Sequence, residues 1–427
     1  MRSIDRGTSA LAAAELFFPL DRELDLGTEG YSPSLLARIE YAGGNAPSFG
    51  QGSEMLKRLA DLCISAKHVQ RLTERVGHER EVERDAAVER LRAGTLTARH
   101  GEPPRVVAVH VDGGKLQMRA DDGAPGVRDP HWGDTKVACL VSYTAPQITQ
   151  DPQPEPPKAF LDPAHVDRLC AEMEHVRNAP APMPPRAPLP ATEEATASAP
   201  RPRVLVKTTV ATRGNTDAFG WLVAAEAMRR GFYQAGRGAV VGDGGNWIEP
   251  LGAKHFPGFT QVLDFLHLLV HLYAVAVVAT ARDGAKAWVL YERMLRAAWS
   301  GRVGDVLLEL EALRTRLGPI EEKDPHGHPR RVVERTLEYV RTNAKRMDYP
   351  RYRQEGLPIS SALIESLIKQ FNQRVKGSEK FWVDSRAEAV LQVRAAYLNQ
   401  DDRALEIYRG RGARARAVGG GRLRAVA

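Results

Sequence analysis

The feature that most constrains this chain is a run of apolar, β-forming residues that leads into one aspartate and two glycines. The pattern occurs as Arg105-Val-Val-Ala-Val-His-Val-Asp112-Gly-Gly114 and returns as Gly238-Ala-Val-Val-Gly-Asp243-Gly-Gly245. Short continuous apolar runs bounded by Pro or Gly are typical of buried strands. We expect each strand to end at its aspartate, because an unpaired carboxylate is costly to bury.

Two aspartates delivered by matched core strands indicate one site supported by a rigid sheet. In such a site Asp112 and Asp243 could bind a hard divalent cation or act as acid and base. The alternative is that each aspartate only opens a turn before glycine. For either residue alone both interpretations stay open, and the repetition of the whole pattern favours a shared site.

The composition is that of a globular protein with a large core and a basic surface. The chain has 427 residues, of which 43% are hydrophobic and 26% charged, and the formal net charge is +7. This length allows two or three domains. The basic residues are mostly arginine, which suits a phosphate-bearing partner because the guanidinium group matches phosphate oxygens. A merely solubilising surface would have the same composition.

Cysteine usage and hydropathy indicate a cytoplasmic protein without a membrane partner. The three cysteines are far apart and form no CxxC pair, so we expect neither a disulfide framework nor a zinc cluster. The N-terminus lacks the pattern of a secretory signal. The most apolar stretch, residues 262–280, contains one aspartate and two histidines, which a membrane helix rarely carries.

Residues 1–100 are predicted to form a helical region that binds DNA. Ser53 can cap one helix and Ser65 a second, with a short connection between them. The basic residues on the second helix are Lys67, Arg71 and Arg75. The pair resembles a helix-turn-helix, although a plain helical hairpin explains the same pattern. Residues 78–99 alternate Glu and Arg, which indicates an exposed connecting helix.

The middle of the chain is predicted to contain strands, one helix and an insertion. The expected strands cover residues 105–111, 115–119, 136–144, 204–210, 238–242 and 261–265. A helix at 216–230 would let neighbouring strands run parallel through a right-handed crossover. Residues 145–203 are rich in Pro and Ala, with one short helix expected at 165–177, and are predicted to be an insertion or flexible loop rather than core.

The last third of the chain has helical periodicity, and its final helix carries a third acid. The expected helices cover residues 266–279, 285–298, 303–314, 330–346 and 361–375. One face of the last helix carries Glu365, Lys369, Asn372 and Lys376. Glu365 near its start suits a metal ligand, and the later residues, with Arg374, suit contacts to DNA phosphates. A solvated face with a weak Glu365–Lys369 ion pair is the alternative.

Two further polar residues lie in the apolar stretch that follows the second acid. Asp264 and His267 are one helical turn apart, near the end of a possible strand. They could be accessory residues, with His267 beside the leaving phosphate. The residues alone favour the alternative, a polar break in a core helix. No HExxH motif is present, so zinc is not expected.

Four short motifs occur in the order found in a known family. They are Val-Asp112-Gly-Gly, Gly-Asp243-Gly-Gly-Asn-Trp-Ile248, Pro358-Ile-Ser-Ser-Ala-Leu-Ile-Glu365-Ser, and Asn372-Gln-Arg-Val-Lys-Gly377. Together they resemble the DDE transposases of bacterial insertion sequences, most closely the ISKra4 family. The segments Val262–His267 and Arg213–Glu226 are also similar, and the resemblance covers about residues 105–400.

The resemblance implies an RNase H-like catalytic core, a mixed five-stranded sheet flanked by helices. The implied layout is a helical DNA-binding region at 1–100, a first part of the core at 101–265, a helical insertion at 266–355, a Glu helix at 356–400, and a basic flexible tail at 401–427. Asp112, Asp243 and Glu365 would then be the catalytic, metal-binding triad, with Asp264 and His267 as accessory residues.

The implied activity is two-metal phosphoryl transfer on DNA. Two Mg²⁺ ions, for which Mn²⁺ could substitute, share a bridging carboxylate in such sites, and Mg²⁺ keeps several waters. The expected partners are the terminal inverted repeats of the element, target DNA, and a second or further copy of the chain, in a nucleoid-associated setting. Two alternatives stay open: a catalytically inactive DNA-binding regulator derived from a transposase, and a structure-selective nuclease on the same fold.

Overall fold

The computed structural model describes residues 31–98, 102–119, 131–178, 202–377 and 379–399. In these residues the strands β1 to β5 span Val106–Met118, His131–Thr144, Arg203–Thr212, Arg237–Gly242 and Thr260–Leu263. The helices α1 to α4 span Pro33–Asn45, Phe49–Ala60, Ala66–Arg92 and Pro163–Asn178. The helices α5 to α7 span Thr216–Arg229, Ile248–His255 and Phe265–Ala279, and α8 to α11 span Gly284–Trp299, Val303–Leu317, Pro329–Asn343 and Tyr349–Gln354. The last two, α12 and α13, span Ala362–Val375 and Asp384–Leu398.

The strands form one mixed sheet in the order β3-β2-β1-β4-β5. The pairs β1–β2 and β2–β3 are antiparallel, and β4 is parallel to both β1 and β5. Alternate residues of β1 enter two different apolar clusters: Val107 and Val109 pack towards α5 and α6, whereas Val106 and Ala108 pack towards α7 and α12. A mixed five-stranded sheet covered by helices confirms the predicted α/β class, and it is compatible with an RNase H-like core.

The first strand does not end at its aspartate, as the sequence led us to expect. Asp112 pairs with Val137, and the antiparallel ladder continues without a break to the Met118–His131 pair. The strand predicted at 115–119 is therefore the second half of β1. Pairing with β2 keeps the two glycines extended. Asp112 is half-buried there, between the buried Val111 and the exposed Gly113.

Residues 145–178 are not a loop outside the core. A short 3₁₀ turn at Lys158–Leu161 places the Phe160 ring against Phe265, with ring centroids 5.8 Å apart, and Val166 in the following helix is fully buried. Apolar side chains therefore pack this segment onto the core, although its Pro-rich composition predicted a loop. The remainder of the predicted insertion, residues 179–201, lies outside the described residues.

Residues 265–354 are helical almost throughout, which confirms the periodicity of this part of the sequence. The helices join the sheet through an aromatic cluster in which Phe265 meets Trp299 and Tyr349, each at a centroid distance of 4.9 Å. The identity of this block as an insertion into a family core stays a prediction.

The N-terminal helices differ from the sequence interpretation in their caps and lengths. Ser48, rather than Ser53, caps α2 with its side chain, because Ser53 lies inside the helix and its hydroxyl donates to Ile64 O at 2.5 Å. Ser65 caps α3 as predicted, by accepting from the amide of His68 at 3.2 Å.

The helix α3 runs without interruption through the segment predicted to be an exposed connector. Ala87 and Val88 are buried against Leu222 and Ala225 of α5. These apolar residues lie between alternating charged residues in the sequence, and their contacts pack the helix against α5. Farther back, Arg80 is also buried and donates to Glu40 of α1 at 3.1 Å.

The N-terminal helices pack closely on α13, which follows the helix of the third acid. At Gly77 of α3, a Cβ atom would lie 2.3 Å from the carbonyl oxygen of Ala389. Only glycine fits at this crossing, which joins the N-terminal helices to the rest of the fold. The predicted basic tail, residues 401–427, lies outside the described residues. None of the helices in the described ranges is long and apolar enough to span a lipid bilayer.

Candidate functional site

The two aspartates lie side by side where the parallel pairing of β1 and β4 ends. The last pair of this ladder is Val111–Gly242, so Asp112 and Asp243 are the next residues on their chains. Burial, together with the negative charges of Asp243 and Glu365, raises the pKa of Asp112 to about 7 against the opposing effect of His267. The three acids predicted from sequence therefore act on one another in one site.

Both aspartates are held by main-chain amides that follow them. Oδ1 of Asp112 accepts from the amide of Gly113 at 2.6 Å, and Oδ1 of Asp243 accepts from the amide of Gly245 at 3.0 Å. Such bonds fix the orientation of the carboxylate. The turn before glycine, which the sequence left open as the alternative, forms only at Asp243, since Asp112 lies within β1.

The loop of the second acid is clamped by Tyr339 of α10. The phenol of Tyr339 donates to the carbonyl oxygen of Asp243 at 2.8 Å. Between them, Gly244 has φ +90°, and a Cβ there would lie 2.7 Å from Cε2 of Tyr339. The left-handed backbone and the approach of the ring both require glycine at this position.

Glu365 lies in the first turn of α12 and points towards α7. Its Oε1 is 3.7 Å from Nε2 of His267, and its side chain is 13% exposed. The glutamate therefore reaches the same site as the aspartates while it faces a histidine that the sequence marked as a possible accessory residue.

Asp264 is the N-cap of α7 and not a polar break within a core helix. Its side chain accepts from the amides of Leu266 and His267, both at 3.2 Å, and it also accepts from the amide and the hydroxyl of Ser361, both at 2.7 Å. The apolar stretch that contains Asp264 is divided into β5 and α7, and the aspartate stands between them.

His267 bonds through Nδ1 to the carboxylate of Asp264 and faces Glu365 through Nε2. Burial lowers the pKa of His267, but the hydrogen bond and charge of Asp264, with the charges of Asp243 and Glu365, outweigh it and raise the pKa to about 9. The imidazole is therefore cationic at neutral pH and offsets part of the negative charge of the site.

The donor set suits a hard cation. All three acids offer carboxylate oxygens, which Mg²⁺ prefers, and Mg²⁺ needs few protein ligands because it keeps several waters. Their mutual repulsion would be relieved by a bound cation. In the described part of the chain, however, no group of three or more Asp, Glu, His or Cys side chains is gathered as a metal-binding cluster. The Mg²⁺ or Mn²⁺ site therefore stays a prediction.

The candidate DNA contacts on α12 have different surroundings. Lys376 is half-buried, which lowers its pKa, and the charge of Asp112 acts on it, so this lysine lies near the acids. Lys369 donates to Glu172 of α4 at 2.7 Å. Asn372 is half-buried, and its carbonyl oxygen accepts from the amide of Lys376 at 2.8 Å.

Arg374 does not belong with the candidate DNA contacts. It is 2% exposed, its Nε donates to Gly43 O at 2.8 Å, and its guanidinium lies over the rings of Phe49 and Trp382. The sequence placed it beside surface lysines, but its position on α12 faces the N-terminal helices. Its planar, weakly hydrated cation stacks on aromatic rings and joins the two parts of the fold.

The candidate DNA contacts on α3 lie at the start of that helix. Lys67 and Arg71 are exposed, and Nη2 of Arg71 contacts Nδ1 of His68 at 2.8 Å. Arg75 is half-buried and lies 3.8 Å from Glu79. Two tightly joined helices are present as predicted, and recognition of DNA by them stays a prediction.

Three residues in or near the site were not singled out in the sequence. They are Ser361, Tyr339 and His110, of which His110 lies inside the first apolar run. His110 is fully buried and Nε2 lies 2.9 Å from the hydroxyl of Tyr143. A polar residue within an otherwise apolar strand was a signal for His110; Tyr339 carried none.

Comparisons with protein-family models and with curated proteins find no match for this chain. The resemblance to the DDE transposases therefore rests on the motifs of the sequence. The fold and the convergence of the three acids stand independently of it.

Proposed function

We propose that this chain is a DDE-type transposase, closest to the ISKra4 family, that cuts DNA at the ends of an insertion sequence and joins the freed 3′-hydroxyl to target DNA. The observation that carries the proposal is the placement of Asp112 and Asp243 just after the last pair of β1 and β4, with Glu365 close enough for its charge to act on Asp112. These acids are separated by more than a hundred residues each along the chain.

Two further observations favour catalysis over a structural role for the acids. Like charges are brought together with partial burial, which costs stability. Such costly arrangements of acids are common at functional sites. The acids are also individually oriented: Asp112 and Asp243 by main-chain amides, and Glu365 by a position opposite His267.

Each residue of the site would have a distinct role. Asp112, Asp243 and Glu365 would hold Mg²⁺ or Mn²⁺, which when bound supplies activation of the attacking oxygen and stabilisation of the leaving oxygen. His267 would hold Glu365 by its positive charge. Lys376, near Asp112, would attract the DNA phosphate by its positive charge.

The partners of the protein follow from the same proposal. The substrate would be the terminal inverted repeats together with target DNA, and the exposed residues Lys67 and Arg71 of α3 would contact the DNA backbone. A dimer or larger complex would bring two ends together. The protein would work on the nucleoid, in the cytoplasm.

The proposal is tested by incubating the protein with DNA that carries the sequences flanking its reading frame, in Mg²⁺ or Mn²⁺. We expect nicking at a defined end, and loss of nicking by at least about a hundredfold in Asp112→Asn and Glu365→Gln with DNA binding retained. Asp305→Asn, an exposed acid on α9, is the matched control and should cut normally.

The alternatives give different results in the same assay. A wild-type protein that binds the ends but never nicks them would be a regulator without catalysis. Equal cutting of branched DNA that lacks the ends would identify a structure-selective nuclease. Either result would remove the transposase proposal.

A further inference from the structure

One buried residue connects the parts of the fold that supply the acids. Asp264 is 0% exposed, and its main-chain amide donates to Gly242 O at 2.8 Å, next to Asp243. The next amide, that of Phe265, donates to Ile359 O at 2.9 Å, in the segment that leads to the Glu365 helix. Asp264 therefore stands between the end of β4 and the approach to α12.

The carboxylate of Asp264 also joins the starts of two helices. Its Oδ1 accepts from the amides of Leu266 in α7 and Ser361 before α12, and its Oδ2 accepts from the amide of His267 and the hydroxyl of Ser361. Amides at a helix N-terminus favour a negative charge. Here two helix N-termini share one carboxylate.

Ser361 uses its hydroxyl in an unusual way for its position. It is the N-cap of α12, where a serine hydroxyl ordinarily accepts from an amide of its own helix. Its side chain makes no such bond and donates to Asp264 instead, at 2.7 Å. One turn later, the amide of Glu365 donates to Ser361 O at 3.0 Å, so a movement of Ser361 passes directly to Glu365.

We propose that Asp264 is a positioning residue which, through Ser361, fixes the start of α12 and so sets the reach of Glu365 towards Asp112. Two hydrogen bonds from one residue to one carboxylate define a direction as well as a distance, which a single bond or an apolar contact would not. Desolvation of Asp264 is offset by these bonds and by His267. The expected effect of Asp264 on metal binding rests on the proposed function.

The contact between Asp264 and Ser361 is tested in the metal-free protein by hydrogen exchange. Ser361→Ala removes the hydroxyl and keeps the amide, so the fold is retained while one of the two bonds is lost. We expect amide exchange in residues 361–368 to become several-fold faster, with no change in the strands. Ser366→Ala, an exposed serine of the same helix, is the matched control and should leave exchange unchanged.

The consequence for Glu365 is tested by Mn²⁺ affinity in a double-mutant cycle. Substitution of a residue that orients a metal ligand typically weakens metal binding tenfold or more, and we expect about a tenfold loss in Ser361→Ala. In a Glu365→Gln background the same substitution should produce no further loss, because the residue through which it acts is gone. A merely structural role of Ser361 would weaken binding equally in both backgrounds.

The two experiments distinguish the positioning role of Asp264 and Ser361 from the proposed function. Unchanged exchange in Ser361→Ala, or additive losses of Mn²⁺ affinity in the cycle, would overturn the positioning role. A wild-type protein that binds no Mn²⁺ would remove the metal-dependent function, while the exchange experiment would still decide whether Asp264 and Ser361 hold the helix.

Discussion

The phenol of Tyr339 donates a hydrogen bond to the main-chain carbonyl of Asp243 at 2.8 Å. The two residues are far apart in sequence: one begins the loop after β4, and the other lies on α10. The helical block between the second and third acids therefore contacts the second acid directly. It contributes to the geometry of the site and is more than a cover for the sheet.

Tyr339→Phe should weaken the site without unfolding the protein. Loss of one hydrogen bond costs about 1 kcal/mol of stability, but the freed Asp243 loop should reduce Mn²⁺ affinity about tenfold. Tyr291→Phe is the matched control, because the phenol of this α8 residue also donates to a main-chain carbonyl, that of Phe160 at 3.1 Å. Equal Mn²⁺ affinities of the two variants, measured by titration, would argue against the clamp.

Gly244→Ala should damage the site more than its backbone strain alone explains. The residue has φ +90°, and the new Cβ would lie 2.7 Å from the Tyr339 ring. Gly258 has φ +83° with nothing within 4 Å, so Gly258→Ala carries the backbone penalty without the collision. We expect both to lose about 1–3 kcal/mol of unfolding free energy, and only Gly244→Ala to lose Mn²⁺ affinity. Urea unfolding and Mn²⁺ titration measure the two effects.

Asp112→Asn should stabilise the metal-free protein and abolish its response to metal. Burial and the charges of Asp243 and Glu365 raise the pKa of Asp112 to about 7, so at pH 8 its ionised form is held at a cost. Removing that charge should raise the melting temperature by a few degrees, of order 1 kcal/mol. Mn²⁺ should raise the melting temperature of the wild type alone. A destabilised variant would show that the crowding of charges is not costly.

His110 should make the protein less stable in mild acid. Burial lowers its pKa to about 4, whereas in the unfolded chain a histidine titrates near 6.5. Between these values the unfolded state binds more protons, so stability is fully present above about pH 6.5 and falls as pH falls, by about 2 kcal/mol from pH 7 to 5. His110→Gln should remove this part of the pH dependence.

The control for that experiment is the exposed residue His326. His326→Gln should leave the change in unfolding free energy between pH 7 and pH 5 as it is in the wild type. In the wild type, Asp112 with its raised pKa contributes in the opposite direction over the same range, so His110 is assessed from the difference between wild type and variant. A His110→Gln protein whose stability changes between pH 7 and pH 5 as the wild type does would contradict the assignment of a buried, neutral imidazole to His110.

Gly77→Ala should loosen the N-terminal helices. Its Cβ would lie 2.3 Å from the carbonyl oxygen of Ala389, a backbone atom that cannot rotate away. We expect a loss of about 2 kcal/mol or more and faster proteolysis of α1 to α3. Gly304→Ala on α9 has nothing within 4 Å and should gain up to about 1 kcal/mol from helix propensity. A Gly77→Ala protein as stable as the wild type would disprove the close crossing.

Hydropathy patterns predicted the elements of the fold well where the local sequence alone decides the structure of an element. The helix Thr216–Arg229 and the strand Arg237–Gly242 agree with expectation to within a residue. The failures arose from contacts between distant residues. The pairing with β2 extended β1 past its glycines, and α5 gave α3 a partner for Ala87 and Val88.

The candidate site divides in the same way. Asp112, Asp243 and Glu365 were found because each follows or begins an element with a clear pattern. The role of Asp264 could not be chosen from the sequence, because it depends on Ser361, 97 positions away. Arg374 was misplaced for the converse reason: the helical pattern gives its position on α12, but only the packed structure reveals Phe49 and Trp382 on that side.

The close crossing of Gly77 and Ala389 has a consequence for how far a bound duplex would be from the carboxylates. Under the proposed function, helices packed on α13 would hold the DNA at one distance from the acids, whereas a recognition module on a flexible linker would allow a range of distances. Inserting one residue into α3 would turn everything before it by about 100° around the helix axis, and the gripped DNA would turn away from the acids.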